Sequence, residues 1–127
     1  MATSLCRGVR ELKTADAIMV TLGDVPGVRP ETYRLIAARW RATGAAIVVP
    51  RYANATAPAP PTLFGSALFD ELLALRGDVG ARSVIGRHAS VVVEEPIAWP
   101  APRDVDTLDD LNDYLTGNGR DETSLDR

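Results

Sequence analysis

Residues 17–49 read AIMVTLGDVPGVRPETYRLIAARWRATGAAIVV, and this stretch decides the fold class. Residues 17–22 (AIMVTL) are a short, almost continuous apolar run. A parallel strand buried on both faces needs such a run, whereas a strand with one wet face alternates. The run stops at Gly23-Asp24-Val25-Pro26-Gly27, a dense turn signal. Pro30-Glu31 then opens a helix, because a proline at the first helical position lacks only an N–H that the helix leaves unpaired anyway. Leu35, Ile36, Arg39 and Trp40 fall on one side at helical spacing, and Gly44 supplies a stop. A second β-type run, 46–49 (AIVV), ends at Pro50. Strand, helix, strand in this order is a βαβ unit with a right-handed crossover.

Working outward, residues 4–13 (SLCRGVRELK) form a short helix with Ser4 as its cap. On the other side, 51–62 (RYANATAPAPPT) is too rich in proline for a central strand and reads as an extended loop. Residues 66–75 (SALFDELLAL) form a helix that Gly77 ends, with Leu68, Phe69, Leu72 and Leu73 on one side. Asp78 caps a further helix over 79–88, and 91–94 (VVVE) is strand-like. A loop with Pro96, Pro100 and Pro102 leads to a very short β segment at Val105. Thr107 then caps a helix over 108–115, with Asp109 and Asp110 in its first turn. Residues 1–116 make one domain, and the polar tail 117–127 is expected to be disordered. About three strands result, few for a sheet covered by helices on both faces, so either another chain completes it or it belongs to something larger.

Composition narrows the function classes. At 127 residues and 46 % hydrophobic content the chain suits a soluble domain with a modest core. No run of about 18 apolar residues exists to span a membrane, and residues 1–9 do not resemble a signal peptide. Cytoplasm is therefore the expected location. The single cysteine, Cys6, fits a reducing compartment. The net charge of −3, with Lys13 the sole lysine, leaves no basic stripe for nucleic acid.

In open α/β sheets the chemistry sits beyond the carboxyl ends of the strands. Asp24 lies just past the first strand run, and Asp106 follows the Asp104-Val105 segment. Two carboxylates converging there repel unless a divalent cation lies between them, and oxygen ligands without His or Cys select Mg²⁺ or Mn²⁺. The plainer reading makes Asp24, Asp104 and Asp106 turn or cap residues. Arg51 and Tyr52, past the second strand, suit a phosphate and a stacked ring, or simply begin a solvated loop. Gly77 to Arg82, including Asp78 and Gly80, puts backbone N–H groups and an arginine at a helix start, a reasonable anion site. His88 is either a general base or, more plainly, a residue suited to a helix C-terminus. Trp40 and Phe69 read as core; Trp99 sits in a proline-rich loop, at a surface or an interface. Neither a Walker loop nor a GxGxxG fingerprint occurs.

Taken in order, SLCRGV, VTLGDVPGVRPET, IVVPRY, LFGSALFDELLALRGDVGAR and DVDTLDDL resemble the C-terminal part of the MobA-like nucleotidyltransferases, closest to the molybdenum cofactor cytidylyltransferases. The resemblance covers roughly residues 1–115. It implies a partial three-layer, Rossmann-like α/β fold with a mostly parallel sheet. It also implies transfer of a nucleotidyl group, CMP from CTP in that branch, onto a phosphorylated cofactor such as molybdopterin, with release of pyrophosphate. Asp24 and Asp106 match the family's two metal aspartates. Arg51 and the 77–82 stretch match parts that line the acceptor side.

The departures from the family also shape the expectation. The family begins with a strand and a glycine-rich loop of the LAAGxSxRMGxxK type that wraps the triphosphate, and no such sequence occurs here. Where the family often has Gly-His-Pro, this chain has Ala59-Pro60-Pro61 before Thr62-Leu63-Phe64, so acceptor identity is open. Alone, these residues are expected to lack full activity. The alternatives are a non-catalytic interaction or regulatory module that binds a partner or self-associates through an incomplete sheet, and a transferase with a different acceptor.

Overall fold

The computed structural model describes residues 2–21, 27–55, 59–77 and 80–102. The expected turn at 23–26, the Asp78 cap, the Val105 segment, the 108–115 helix and the 117–127 tail all lie outside these residues. Helix α1 (Ala2–Glu11) leads to strand β1 (Ala17–Val20), and α2 (Pro30–Thr43) to β2 (Ile47–Arg51). Strand β3 (Thr62–Gly65) runs into a 3₁₀ turn (Ser66–Leu68) and α3 (Phe69–Leu73). Helix α4 (Arg82–Arg87) and a second 3₁₀ turn (Ala89–Val91) precede β4 (Val92–Pro96).

The described strands form one sheet in the order β1-β3-β2-β4. It is mixed, not mostly parallel as expected: β3 pairs antiparallel with both β1 and β2, while β2 and β4 are parallel. β1, β2 and β4 nevertheless point the same way, because β3 is inserted between two co-directional strands. The βαβ reading of 17–49 therefore holds for strand direction, with β3 between its two strands. β3 itself was not expected: the expected loop ends at Thr62 and the next expected helix begins at Ser66, with no strand between them. Proline misled that reading: Pro60 and Pro61, joined by a cis peptide, end immediately before the strand.

Pro50 does not end β2, which continues through it to Arg51. Gly65 N–H donates to the Ala46 carbonyl at 2.8 Å, so in β2 the even-numbered residues face β3. The β2–β3 pairing runs over Ile47–Phe64 and Val48–Leu63. The missing N–H of Pro50 points to β3's side just beyond that pairing, where no ladder bond is lost.

Both sheet faces are covered, giving the expected three layers. On one face Val9, Phe69, Leu72 and Val84 from the helices pack on Ile18, Ile47, Val49 and Phe64. On the other, Ile36 of α2 packs on Val48 and Leu63, with Trp40, Met19 and Val93 around them. β2 alternates between the two cores, which is why it is apolar from Ile47 to Pro50. Gly44 closes α2 with φ 64°, its N–H donating to the Trp40 carbonyl. Cys6 is buried, and its thiol reaches the carbonyls of Leu72 (3.3 Å) and Leu73 (3.5 Å) at the end of α3. Among the described residues no helix is long and apolar enough to cross a membrane.

Candidate functional site

The common direction of β1, β2 and β4 brings their carboxyl ends to one rim, and β3 contributes its amino end there, Thr62 lying opposite Val20. Four chain segments meet at this rim: Thr21 after β1, the start of α2, Arg51 at the end of β2 with Tyr52 to Ala55 after it, and Ile97 to Ala101 after β4. They are tied by named bonds. Ile97 N–H donates to the Arg51 carbonyl (2.9 Å) and Ala53 N–H to the Trp99 carbonyl (3.1 Å). Ala101 N–H donates to Asn54 Oδ1 at 2.9 Å. The Arg29 guanidinium lies 4.5 Å from the centre of the Trp99 ring. This contact accounts for a tryptophan in a proline-rich loop: it pins the segment after β4 against the start of α2.

Arg51 and Tyr52 take different positions. The Arg51 side chain is 63 % exposed, with Nη1 3.6 Å from Glu94 Oε1, so its charge reaches solvent at the rim. Tyr52 turns inward and is 2 % exposed. Its hydroxyl donates to the Pro60 carbonyl at 2.8 Å. Burial first, and then the neighbouring Tyr33, pushes the Tyr52 phenol up to about 12, while the Thr32 side chain opposes the rise. Thr32 itself is fully buried, and its hydroxyl has no well-formed hydrogen bond among the described residues. Tyr52 thus fastens the rim from inside and does not present its ring to solvent.

Arg82 is the exposed first residue of α4, and the Gly80 carbonyl receives the Ser83 hydroxyl at 3.0 Å. Among the described residues no hydrogen bond or ion pair joins Gly80 or Arg82 to Arg51 or Tyr52. Asp24, Asp78 and Asp106 lie outside the described residues.

His88 sits at the C-cap of α4, and its Nε2 lies 2.6 Å from Glu71 Oε1, while Arg87 Nη2 stands 3.4 Å from Glu71 Oε2. This cluster clips α4 to α3. Sequence reading missed Glu71, because its partner His88 is seventeen residues away and no local pattern marks the pairing.

The MobA-like NTP transferase domain model matches residues 1–91. The chain belongs to the MobA-like NTP transferase family. Solved structures agree with that membership. A homologue of Mycobacterium tuberculosis Rv0371c from Mycobacterium sp. strain JC1 is 31 % identical, with a TM-score of 0.78 over 91 % of this chain. Rv0371c of M. tuberculosis H37Rv is 33 % identical, with a TM-score of 0.74 over 91 %. The same protein in complex with manganese is 33 % identical, with a TM-score of 0.73 over 89 %. The chain spans only 57–59 % of the length of these relatives. No curated protein matches it.

Proposed function

We propose that this chain forms the metal and acceptor side of a nucleotidyltransferase that moves a nucleotidyl group from an NTP to a phosphorylated acceptor and releases pyrophosphate. The observation that carries this reading is the manganese complex of a relative 33 % identical over 89 % of the chain. Asp24 and Asp106 would hold the cation. Their donor set, carboxylate oxygen without imidazole or thiolate, fits Mn²⁺ and Mg²⁺, and Asp24 follows three residues after Thr21 at the carboxyl end of β1. The cation, when bound, neutralises triphosphate charge and polarises the phosphoryl group under attack.

The chain's own residues bind and orient. Arg51 offers a solvent-facing guanidinium to a phosphate of the acceptor. Gly80 and Arg82, with Asp78, belong to the acceptor side by their match to the family pattern. Tyr52 acts from beneath, keeping the Arg51 segment fixed to Pro60. The resemblance to the cytidylyltransferase branch supports CTP as the nucleotide and a molybdopterin-type cofactor as the acceptor; Ala59-Pro60-Pro61, in place of Gly-His-Pro, supports a different acceptor as the second reading. The compartment that fits a lone buried thiol is the cytoplasm.

The test is Mn²⁺ binding followed by electron paramagnetic resonance, with calorimetry for MgCTP and MgGTP. Wild-type chain should bind Mn²⁺, and Asp24→Asn and Asp106→Asn should each weaken it at least about tenfold. Neither nucleotide should bind the isolated chain more tightly than ~1 mM. Unchanged Mn²⁺ affinity in both variants would remove the metal assignment.

A further inference from the structure

Helices α3 and α4 leave a gap between them. A cavity of about 370 Å³ lies there, lined by Glu71 of α3, by Ala74, Leu75 and Arg76 just after it, and by Ser83 and Arg87 of α4. Sites for small molecules begin at about 300 Å³. None of these six residues lies in the four segments of the rim, and none takes part in the proposed nucleotidyl transfer.

The lining is cationic, with two guanidiniums and one carboxylate, in a chain whose net charge is −3. Both guanidiniums are held in place. Arg76 Nη1 donates to the Leu73 carbonyl at 3.3 Å and the Leu75 carbonyl at 3.0 Å, which fastens it to the end of α3. Arg87 Nη2 stands 3.4 Å from Glu71 Oε2, while Glu71 Oε1 lies 2.6 Å from His88 Nε2. Glu71 Oε2 is itself buried, so the carboxylate is directed to His88 and Arg87. Among the described residues no hydrogen bond uses Arg76 Nε or Nη2, or Arg87 Nε or Nη1. Two anchored forks thus keep donors to spare. A guanidinium fork matches the paired oxygens of a phosphate, and anchoring beforehand lowers the ordering cost of binding. Ala74 and Leu75 supply an apolar patch beside the charges.

We propose that the α3–α4 cavity binds a small phosphate monoester, with its phosphate held by Arg76 and Arg87 and its organic body against Ala74 and Leu75. Glu71, fixed by His88, sets the place of Arg87. The site stands whether or not the rim is a transferase site.

The probe is phenyl phosphate, titrated into the full 127-residue chain at low salt and followed by calorimetry and NMR. It should bind 1:1 with a Kd of ~1 mM or tighter, and the shifts should centre on Arg76, Ser83 and Arg87, not on Arg51 to Ala55. Inorganic phosphate, which has no organic body, should bind at least about threefold more weakly. Arg76→Gln and Arg87→Gln should each weaken phenyl phosphate at least about tenfold. Arg41→Gln removes the same charge from an exposed position on α2, across the sheet, and should change the affinity less than about twofold. If an arginine variant fails to fold, Ser83→Asp decides: Ser83 is exposed, and a carboxylate there should abolish binding. Four outcomes overturn the proposal: no saturation by ~10 mM, shifts centred on the rim, an equal loss in Arg41→Gln, or inorganic phosphate binding as tightly as the ester.

Discussion

The Tyr52 hydroxyl donates to the Pro60 carbonyl at 2.8 Å, joining the residue that follows β2 to the segment that enters β3. The β2–β3 pairing stops at Val48–Leu63. Pro50 has no N–H to extend it, so a side chain bridges the two segments at the rim where their ladder has ended.

Burial of the Tyr52 phenol makes stability fall in alkali. The folded phenol is raised to about 12 from an ordinary value of 10.0. The unfolded chain therefore releases this proton first, and stability present below pH 10 is lost as pH climbs through 12. The full loss is on the order of 2 kcal/mol. Tyr52→Phe should cost about 1 kcal/mol at pH 8, and the gap to wild type should shrink or reverse by pH 12. Paired urea titrations at the two pH values measure it; a constant gap would contradict the assignment.

Trp99 holds the segment after β4 under Arg29. Trp99→Leu keeps an apolar side chain and removes the cation–π contact, so the cost should be about 1 kcal/mol. Backbone exchange should quicken at Ala53, whose N–H donates to the Trp99 carbonyl, and remain unchanged in α3.

Two glycines should respond with opposite signs to one substitution. Gly44 has φ 64° and open space where a Cβ would stand, so Gly44→Ala meets only backbone strain and should destabilise by about 1 kcal/mol. Gly8, inside α1, also faces open space but has no such constraint, and Gly8→Ala should stabilise by about 0.5–1 kcal/mol. Thermal melts of the two variants would separate these effects.

Cys6 is enclosed beneath the end of α3, at 7 % exposure. Its reaction with a thiol reagent should be at least about 100-fold slower in buffer than in urea, since access requires opening of the α1–α3 contact. Cys6→Ala should cost about 1–2 kcal/mol, through a small cavity and weakened contacts to the Leu72 and Leu73 carbonyls. Fast labelling in buffer would show that α1 leaves its seat readily.

Glu71 joins α3 to α4 through His88 and Arg87. All three side chains are partly exposed, so water screens the pairing, and Glu71→Gln should cost only about 0.5–1 kcal/mol. Chemical denaturation near neutral pH checks the magnitude.

Much of the fold was legible where local chemistry dominates. The apolar runs of β1 and β2, Pro30 at the start of α2 and Gly44 at its end each carry their own signal, because strand burial, an unneeded N–H and a left-handed cap act within a few residues. β3 was not legible. Its four residues follow Pro60-Pro61 and lead directly into a 3₁₀ turn, so there is no alternation to read. The apolar, β-favouring Thr62-Leu63-Phe64 was the one available clue. The rim divides the same way: position in the βαβ order placed Arg51 and Tyr52 at the carboxyl end of β2, but could not say which side chain would meet solvent.

The sequence by itself determined the α/β class and, through the resemblance its motifs carry, the family. These follow from periodicity, caps and motif order, all short-range properties of the chain. Only the tertiary structure decided that the sheet is mixed, and that Tyr52 is a buried fastener while Arg51 stays in water. Each of those depends on which distant segment becomes a neighbour. β3 entering between β1 and β2 made both of its pairings antiparallel and brought Pro60 to Tyr52.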